Sequence, residues 1–216
     1  MGSVTAARRV RRISPGACAL VAALLLGCSS PIHFESEAGE SWGPVEKLAL
    51  MPFDAQIPLT GGMTAAEIST YVTSRALAAL SERGQFVVIP PAEVRQALGA
   101  GDRPILPSDP EEIGGILDET FGVDALVFGQ VRRFTKRAGG AKGSSRPASV
   151  RLEMQLRAPE GTLLWRGVYD ETQRSISEDL GGFSVARERG FRWLSAEELA
   201  EFGARQLVDA MSETVH

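Results

Sequence analysis

The amino-acid sequence predicts a single α/β domain: a mixed β-sheet of about five strands with helices packed on it and an antiparallel hairpin at one side. Three features carry this. The run from Glu46 to Phe53, EKLALMPF, is apolar throughout after its first two residues and is stopped by Pro52 and the loop beyond, as in a strand buried on both faces. Two stretches of helical period each open on a capping box, Thr64 with Glu67 and Ser195 with Glu198. Between them SVRLEMQLR alternates strictly, Val150, Leu152, Met154 and Leu156 facing inward and Arg151, Glu153 and Gln155 outward, so one face of that strand meets water.

In chain order, residues 1–27 have the layout of an export signal: Arg8, Arg9, Arg11 and Arg12, a Pro-Gly break, then an apolar run from Ala17. That run is shorter than a membrane span, which takes about 20 residues. A secretory cleavage site wants small residues at −3 and −1, and the −3 position is Leu25. Leu25-Leu26-Gly27-Cys28 resembles instead a bacterial lipobox, with the small Gly27 directly before the cysteine and Leu26 where Ala or Ser is common. The resemblance implies cleavage between Gly27 and Cys28 and lipid on Cys28, which becomes the mature amino terminus. Residues 28–44, with their Ser, Glu, Gly and Pro, then read as a flexible tether, and 45–216 as a periplasmic domain. By resemblance to sorting in Gram-negative lipoproteins, Ser29 in place of Asp favours the outer membrane.

Within the domain, the first long helix runs from its capping box to Gly84, a left-handed stop, and turns Ile68, Tyr71, Val72, Ala76, Ala79 and Leu80 toward the sheet. Phe86 to Ile89 is a short strand, and Pro91 starts a brief helix carrying Val94 and Leu98. After a Gly- and Pro-rich loop, Asp109 caps a helix with Pro110 at its first position and Ile113, Ile116, Leu117 and Phe121 as its buried stripe. VDALVFGQVRRF is the next strand. Beyond the alternating strand, Pro159 and Gly161 suit a type I turn with a bulge, and TLLWRGVYDETQ returns antiparallel. The last helix, from Ser195, buries Leu199, Phe202, Leu207 and Met211.

KLALMPF, FGVDALVFGQV and VRLEMQLRAPEGTLLWRGVYDE, in that order, resemble a superfamily of bacterial envelope lipoproteins and their relatives. It includes the activator lipoproteins of penicillin-binding proteins, the curli-secretion lipoprotein family and the amino-terminal domain of TolB. The shared features are a hydrophobic strand ending in Pro-Phe, here Met51-Pro52-Phe53; a Gly-X-Asp-Ala strand start, here Gly122-Val123-Asp124-Ala125; and a turn glycine followed by Leu-Trp, here Gly161 with Leu164-Trp165. The match spans most of Lys47 to Gln173 and implies the same fold. Each motif also has a structural reading: Gly122 stops a helix, Asp124 accepts backbone N–H bonds in its turn, and Trp165 is half-buried packing. A pore, as in the curli-secretion relatives, would need strands of about 9–11 residues with a lipid face. Glu178, Asp179, Arg187, Glu188 and Arg189 interrupt the stretch after the hairpin.

Composition narrows the chemistry. Without residues 1–27 the chain keeps 19 basic and 27 acidic residues, a net charge of −8, which argues against nucleic acid. Cys18 leaves with the signal and Cys28 takes the lipid, so the folded part has no thiol for a disulfide or a metal. The two histidines, His33 and His216, fall outside any predicted element, so neither a Ser-His-Asp triad nor a histidine zinc site assembles. Asp54, Asp170 and Glu171 offer carboxylates on strand faces with no acid/base partner at fixed spacing. In GGAKGSS, Lys142 is followed by Gly, so there is no Walker motif. The expectation is a protein without catalytic activity or cofactor.

Two stretches are candidates for binding. RRFTKRAGGAKGSSR holds Arg132, Arg133, Lys136, Arg137, Lys142 and Arg146 with no acid among them: either a contact for an anionic surface or acidic partner, or a hairpin tip kept soluble by charge. LGGFSVARERGFRWLS interleaves aromatics with arginine; Phe183, Arg187 and Arg189 are the partner-binding candidates, and Trp193 staples the start of the last helix. The function expected is an outer-membrane-anchored lipoprotein whose periplasmic domain binds a cell-envelope protein, as an accessory or assembly factor for cell-wall synthesis, secretion or transport machinery. The alternative, a small-ligand carrier or sensor module associated with a transporter, requires a mostly apolar pocket of about 300 Å³ or more.

Overall fold

The computed structural model describes residues 32–35, 43–57, 62–100, 109–139, 146–173 and 194–214. Gly27 and Cys28, Lys142, and Phe183, Arg187 and Arg189 lie outside the described residues.

The elements in chain order are β1 (Ile32–Glu35), β2 (Lys47–Leu50), β3 (Asp54–Ala55), α1 (Ala65–Arg83), β4 (Val87–Ile89), α2 (Pro91–Ala97), α3 (Pro110–Phe121), β5 (Ala125–Thr135), β6 (Ser149–Arg157), β7 (Leu163–Thr172) and α4 (Ala196–Thr214). They build one mixed sheet in the order β1-β7-β6-β5-β2-β4, with β3 beside β5. β2 is parallel to both β4 and β5, whereas β5, β6, β7 and β1 are successively antiparallel. The predicted class is the observed one, with two short strands added. One of them, β1, falls within the stretch 28–44 read as tether, so His33 belongs to an edge strand rather than to a segment without regular structure.

β3 exists because Pro52 interrupts its predecessor. Leu50 pairs with Val127 and Asp54 with Gln130, so the chain spends one residue more than β5 does over the same length, a bulge at the position that has no N–H to donate. The bulge takes Phe53 off the ladder, and α1 satisfies its backbone instead: Phe53 N donates to Thr73 Oγ1 at 2.9 Å, and Phe53 O accepts from Ser69 Oγ. Thr73 is therefore buried, and Tyr71, predicted on that face, is half-buried at its margin.

Two apolar cores flank the sheet. On one face α1 and α4 cover Leu48, Leu50, Val127, Val131, Leu152, Met154, Trp165 and Tyr169; on the other, Val94 of α2 and Leu117 of α3 cover Ala49, Met51, Leu126 and Phe128. β2 and the first half of β5 are thus buried on both sides, as the apolar run predicts. Both capping boxes form: Glu67 N donates to Thr64 Oγ1 at 3.2 Å and Thr64 N to Glu67 Oε2 at 2.7 Å, with 3.1 and 2.8 Å for Ser195 and Glu198. The hairpin turn is also as predicted, with Gly161 N donating to Ala158 O at 2.9 Å and Gly161 at φ 89°.

Several expectations are corrected. Asp109 occupies the cap position of α3, but its side chain makes no capping bond, and Ile116 is 37% exposed. Trp165, read as half-buried, is 1% exposed: its indole lies over Gly167, where a Cβ would come within 2.3 Å of the ring. Phe202 is half-buried; α4 instead approaches β7 through the small residues Ala196, Ala200, Gly203 and Ala204, with the Tyr169 ring 2.4 Å from where a Gly203 Cβ would stand.

Candidate functional site

Antiparallel register brings three parts of the chain to one end of the sheet. Thr135 at the end of β5 pairs with Ser149, and Ser149 with Thr172 at the end of β7. The β5–β6 connection, the segment that follows β7 and the start of α4 meet there. Ala138 and Arg146 exchange backbone bonds of 2.9 and 3.1 Å, closing the base of the loop that contains Lys142. The chain leaves at Gln173 and returns at Leu194, and Leu194 N donates to Gln173 Oε1 at 3.0 Å, closing the base of the segment that contains Phe183, Arg187 and Arg189.

Lys136 Nζ links the two by reaching Glu197 Oε1 at 2.7 Å. Burial pushes the Glu197 carboxyl up, but its bond to Lys136, with help from the backbone and Ser195, outweighs burial and holds it below the usual carboxylate range. Lys136, Arg137, Leu194, Ser195, Ala196, Glu197 and Glu198 line an open cleft of about 350 Å³ at this end.

The basic run is not simply a solvated tip. Arg132 and Arg133 lie in β5, and acids from elsewhere in the chain meet them. Val131 pairs with Leu152 and Arg133 with Arg151, so Arg132 is the extra residue of a bulge. Strict alternation would send consecutive arginines to opposite faces, yet both bond to acids on the same outward face of β6 and β7: Arg132 Nε lies 3.5 Å from Glu153 Oε2, and Arg133 bonds Asp170 and, at 2.5 Å, Ser149 Oγ.

That face carries a ladder of arginine over acid. Glu153, predicted to meet water, is 8% exposed because guanidinium groups from both neighbouring strands and its own close over it: Arg151 at 3.2 Å, Arg132 and Arg166 each at 3.5 Å. Arg151 also reaches Asp170 at 2.9 Å. Burial opposes its charge, but the bonds to Glu153 and Asp170 prevail and strengthen its protonation. Arg157, bonded to Gln155 at 3.0 Å and to Gly161 O at 2.7 Å, extends the row toward the turn. Alternation along β6 places Arg151, Glu153, Gln155 and Arg157 on one face, but Arg132, Arg133, Arg166 and Asp170 join them only through the strand pairing.

The remaining candidates are structural. Asp124 accepts backbone N–H bonds as predicted, but from Glu46 at 2.9 Å and Lys47 at 2.8 Å across the sheet, not from its own turn. Lys47 Nζ in return donates to Phe121 O at 2.8 Å, at the end of α3. Asp170 is held by arginines and Glu171 accepts the Tyr169 hydroxyl at 2.5 Å. Among the described residues no group of three or more His, Cys, Asp or Glu side chains is placed to hold a metal ion, and no helix is long and apolar enough to cross a membrane. A second open cleft, about 550 Å³, is lined by Asp109, Pro110, Glu111, Glu112, Glu160 and Gly161. Charged residues dominate both clefts, which is not the lining that a carrier of small apolar ligands needs.

No protein-family model and no curated protein matches the chain. The chain is similar in fold to several solved structures, at low sequence identity. One is lipoprotein GNA1162 from Neisseria meningitidis, at 22% identity and a TM-score of 0.40 over 67% of this chain and 95% of that one. The LpoB C-terminal domain from Escherichia coli gives 16% identity and a TM-score of 0.40, over 62% of this chain and 88% of that one. The PelC dodecamer from Paraburkholderia phytofirmans gives 12% and 0.48, over 82% and 94%.

Proposed function

We propose that this chain is a lipid-anchored protein of the outer membrane, held by acyl chains on Cys28, whose periplasmic domain binds another envelope protein as a non-enzymatic accessory or assembly factor for cell-wall synthesis, secretion or transport machinery. The observation that supports it is the convergence at the end of the sheet where β5 connects to β6. Two stretches that composition marks for binding start and finish on one rigid base, fixed by the Ala138–Arg146, Gln173–Leu194 and Lys136–Glu197 bonds. A binding surface needs adaptable contacts on a preorganised frame. The carboxylates of the outward sheet face, Glu153 and Asp170, are meanwhile engaged by arginines, which suits a binding role over acid/base catalysis there.

The test is a photocrosslinker at Phe183 in the lipidated protein, with the captured species identified by mass spectrometry. One defined envelope protein should be captured, and Arg187→Ala should weaken its capture by about fivefold or more while leaving stability within about 0.5 kcal/mol. Capture unchanged by Arg187→Ala would move the partner surface elsewhere. The intact mass of the membrane-extracted protein reports the anchor separately; an unmodified Cys28 would refute it.

A further inference from the structure

The sheet face that carries α2 and α3 over β2 and the first half of β5 is strongly positive where it continues, uncovered, over the end of β5 and over β6 and β7. Arg132, Arg133, Arg151, Arg157 and Arg166 stand on β5, β6 and β7 there against two acids of those strands, Glu153 and Asp170. The rest of the chain after residue 27 has 14 basic against 25 acidic residues, so the asymmetry is strong. Internal pairing does not hide it: the side chains of Arg132, Arg133, Arg151 and Arg166 remain 43, 37, 39 and 34% exposed.

The second observation is where the chain joins this face. β1 pairs with β7 along its edge, Ile32 opposite Tyr169. Three residues separate Cys28 from Ile32. At full extension they place the Cys28 backbone within about 14 Å of that edge. Acyl chains on Cys28 would therefore hold the β1–β7 edge close to the headgroups, not tens of ångströms above them. Of the two faces that meet at this edge, one is covered by α4 and the other is the arginine ladder.

We propose that the outward face of β5, β6 and β7 lies against the anionic phospholipid headgroups of the membrane that holds Cys28. Guanidinium forks suit phosphate oxygens, and a negative surface potential attracts each excess arginine by about fivefold in local partition. The lipid sets the distance and the face sets the orientation. Seated so, the domain points the end where β5 connects to β6 along the membrane plane, toward partners anchored in the same leaflet. This rests on the proposed acylation of Cys28, but the experiment separates the two.

The lipidated protein is reconstituted in vesicles of phosphatidylcholine alone or with phosphatidylglycerol, and arginine modification by phenylglyoxal is followed residue by residue. Arg132, Arg157 and Arg166 should be protected about fivefold or more in the anionic vesicles only, and 0.5 M salt, on the order of a 4 Å screening length, should abolish the protection. Arg75 and Arg205, on the helical side, should react equally in both. Arg132→Gln with Arg157→Gln, which leaves Glu153 its bonds to Arg151 and Arg166, should reduce the protection of Arg166 with an unchanged melting temperature. Equal reactivity in the two vesicles, protection in both, or protection only after an envelope protein is added would each overturn the proposal. If the intact mass shows Cys28 unacylated, the anchor fails while the same protein added to preformed vesicles still reads the face.

Discussion

The Asp124 carboxylate accepts the backbone N–H of Lys47 at 2.8 Å while the Lys47 ammonium donates to Phe121 O at 2.8 Å, three residues before Asp124. The start of β2 and the α3–β5 turn are thereby locked by charge-assisted bonds in both directions, which gives the Gly-X-Asp-Ala pattern a physical purpose. Asp124→Ala leaves the N–H groups of Glu46 and Lys47 to water and should cost about 1–2 kcal/mol. Asp124→Asn keeps one neutral acceptor and should cost about half as much. Urea denaturation measures both; an Asp124→Ala variant as stable as the parent would reduce the motif to a coincidence of sequence.

Glu153 tests the arginine ladder. With Glu153→Ala, Arg132, Arg151 and Arg166 face one another without their shared acid, and the loss should be about 1–3 kcal/mol at low salt. Because the guanidinium groups are partly exposed, salt should screen the repulsion and narrow the gap to the parent protein. A gap that is independent of salt would assign the loss to packing alone.

What the sequence made legible was local. Thr64 and Glu67 are three residues apart, as are Ser195 and Glu198, and each box forms because no distant residue is needed. The central strands were legible because burial on both faces leaves an uninterrupted apolar run. Alternation cannot place Arg132, because a bulge adds a residue that no period can count. It misread Glu153 because the groups that bury it come from β5 and β7 as well as from β6. β1 was hidden because Ile32–Glu35 becomes a strand by pairing with β7, in a stretch whose composition suits a tether. The two candidate stretches stand out by composition, but the meeting of their bases at one end is a property of register.

The glycine beneath Trp165 should resist substitution. An alanine Cβ at Gly167 would stand 2.3 Å from the indole and 2.9 Å from Leu207, and α4 cannot withdraw without opening the core. Gly167→Ala should cost about 1–3 kcal/mol by overpacking. Gly115, inside α3 with nothing within 4 Å of where a Cβ would stand, provides the contrast. Gly115→Ala should stabilise by about 0.5–1 kcal/mol through helix propensity. Equal effects of the two changes in thermal unfolding would contradict the close approach of β7 and α4.

The Lys136–Glu197 pair makes stability at the end where β5 connects to β6 sensitive to acid. Glu197 has a folded-state pKa below its ordinary value of 4.5, the bond to Lys136 and its polar neighbours outweighing burial. A carboxyl shifted downward binds its proton more readily in the unfolded chain, so its contribution is complete above the ordinary value and disappears as the pH falls through the lowered one. The side chain is 29% exposed and partly screened, so the contribution is on the order of 1 kcal/mol or less. Glu197→Gln should accordingly be less stable than the parent at pH 7, and the two urea midpoints should converge as the pH falls from the ordinary carboxylate value through the lowered one. Lys136→Met should lower the midpoint at pH 7 as well, and combining it with Glu197→Gln should cost less than the sum of the single changes. Midpoints that separate further on acidification would reverse the sign of the coupling and detach Lys136 from the start of α4.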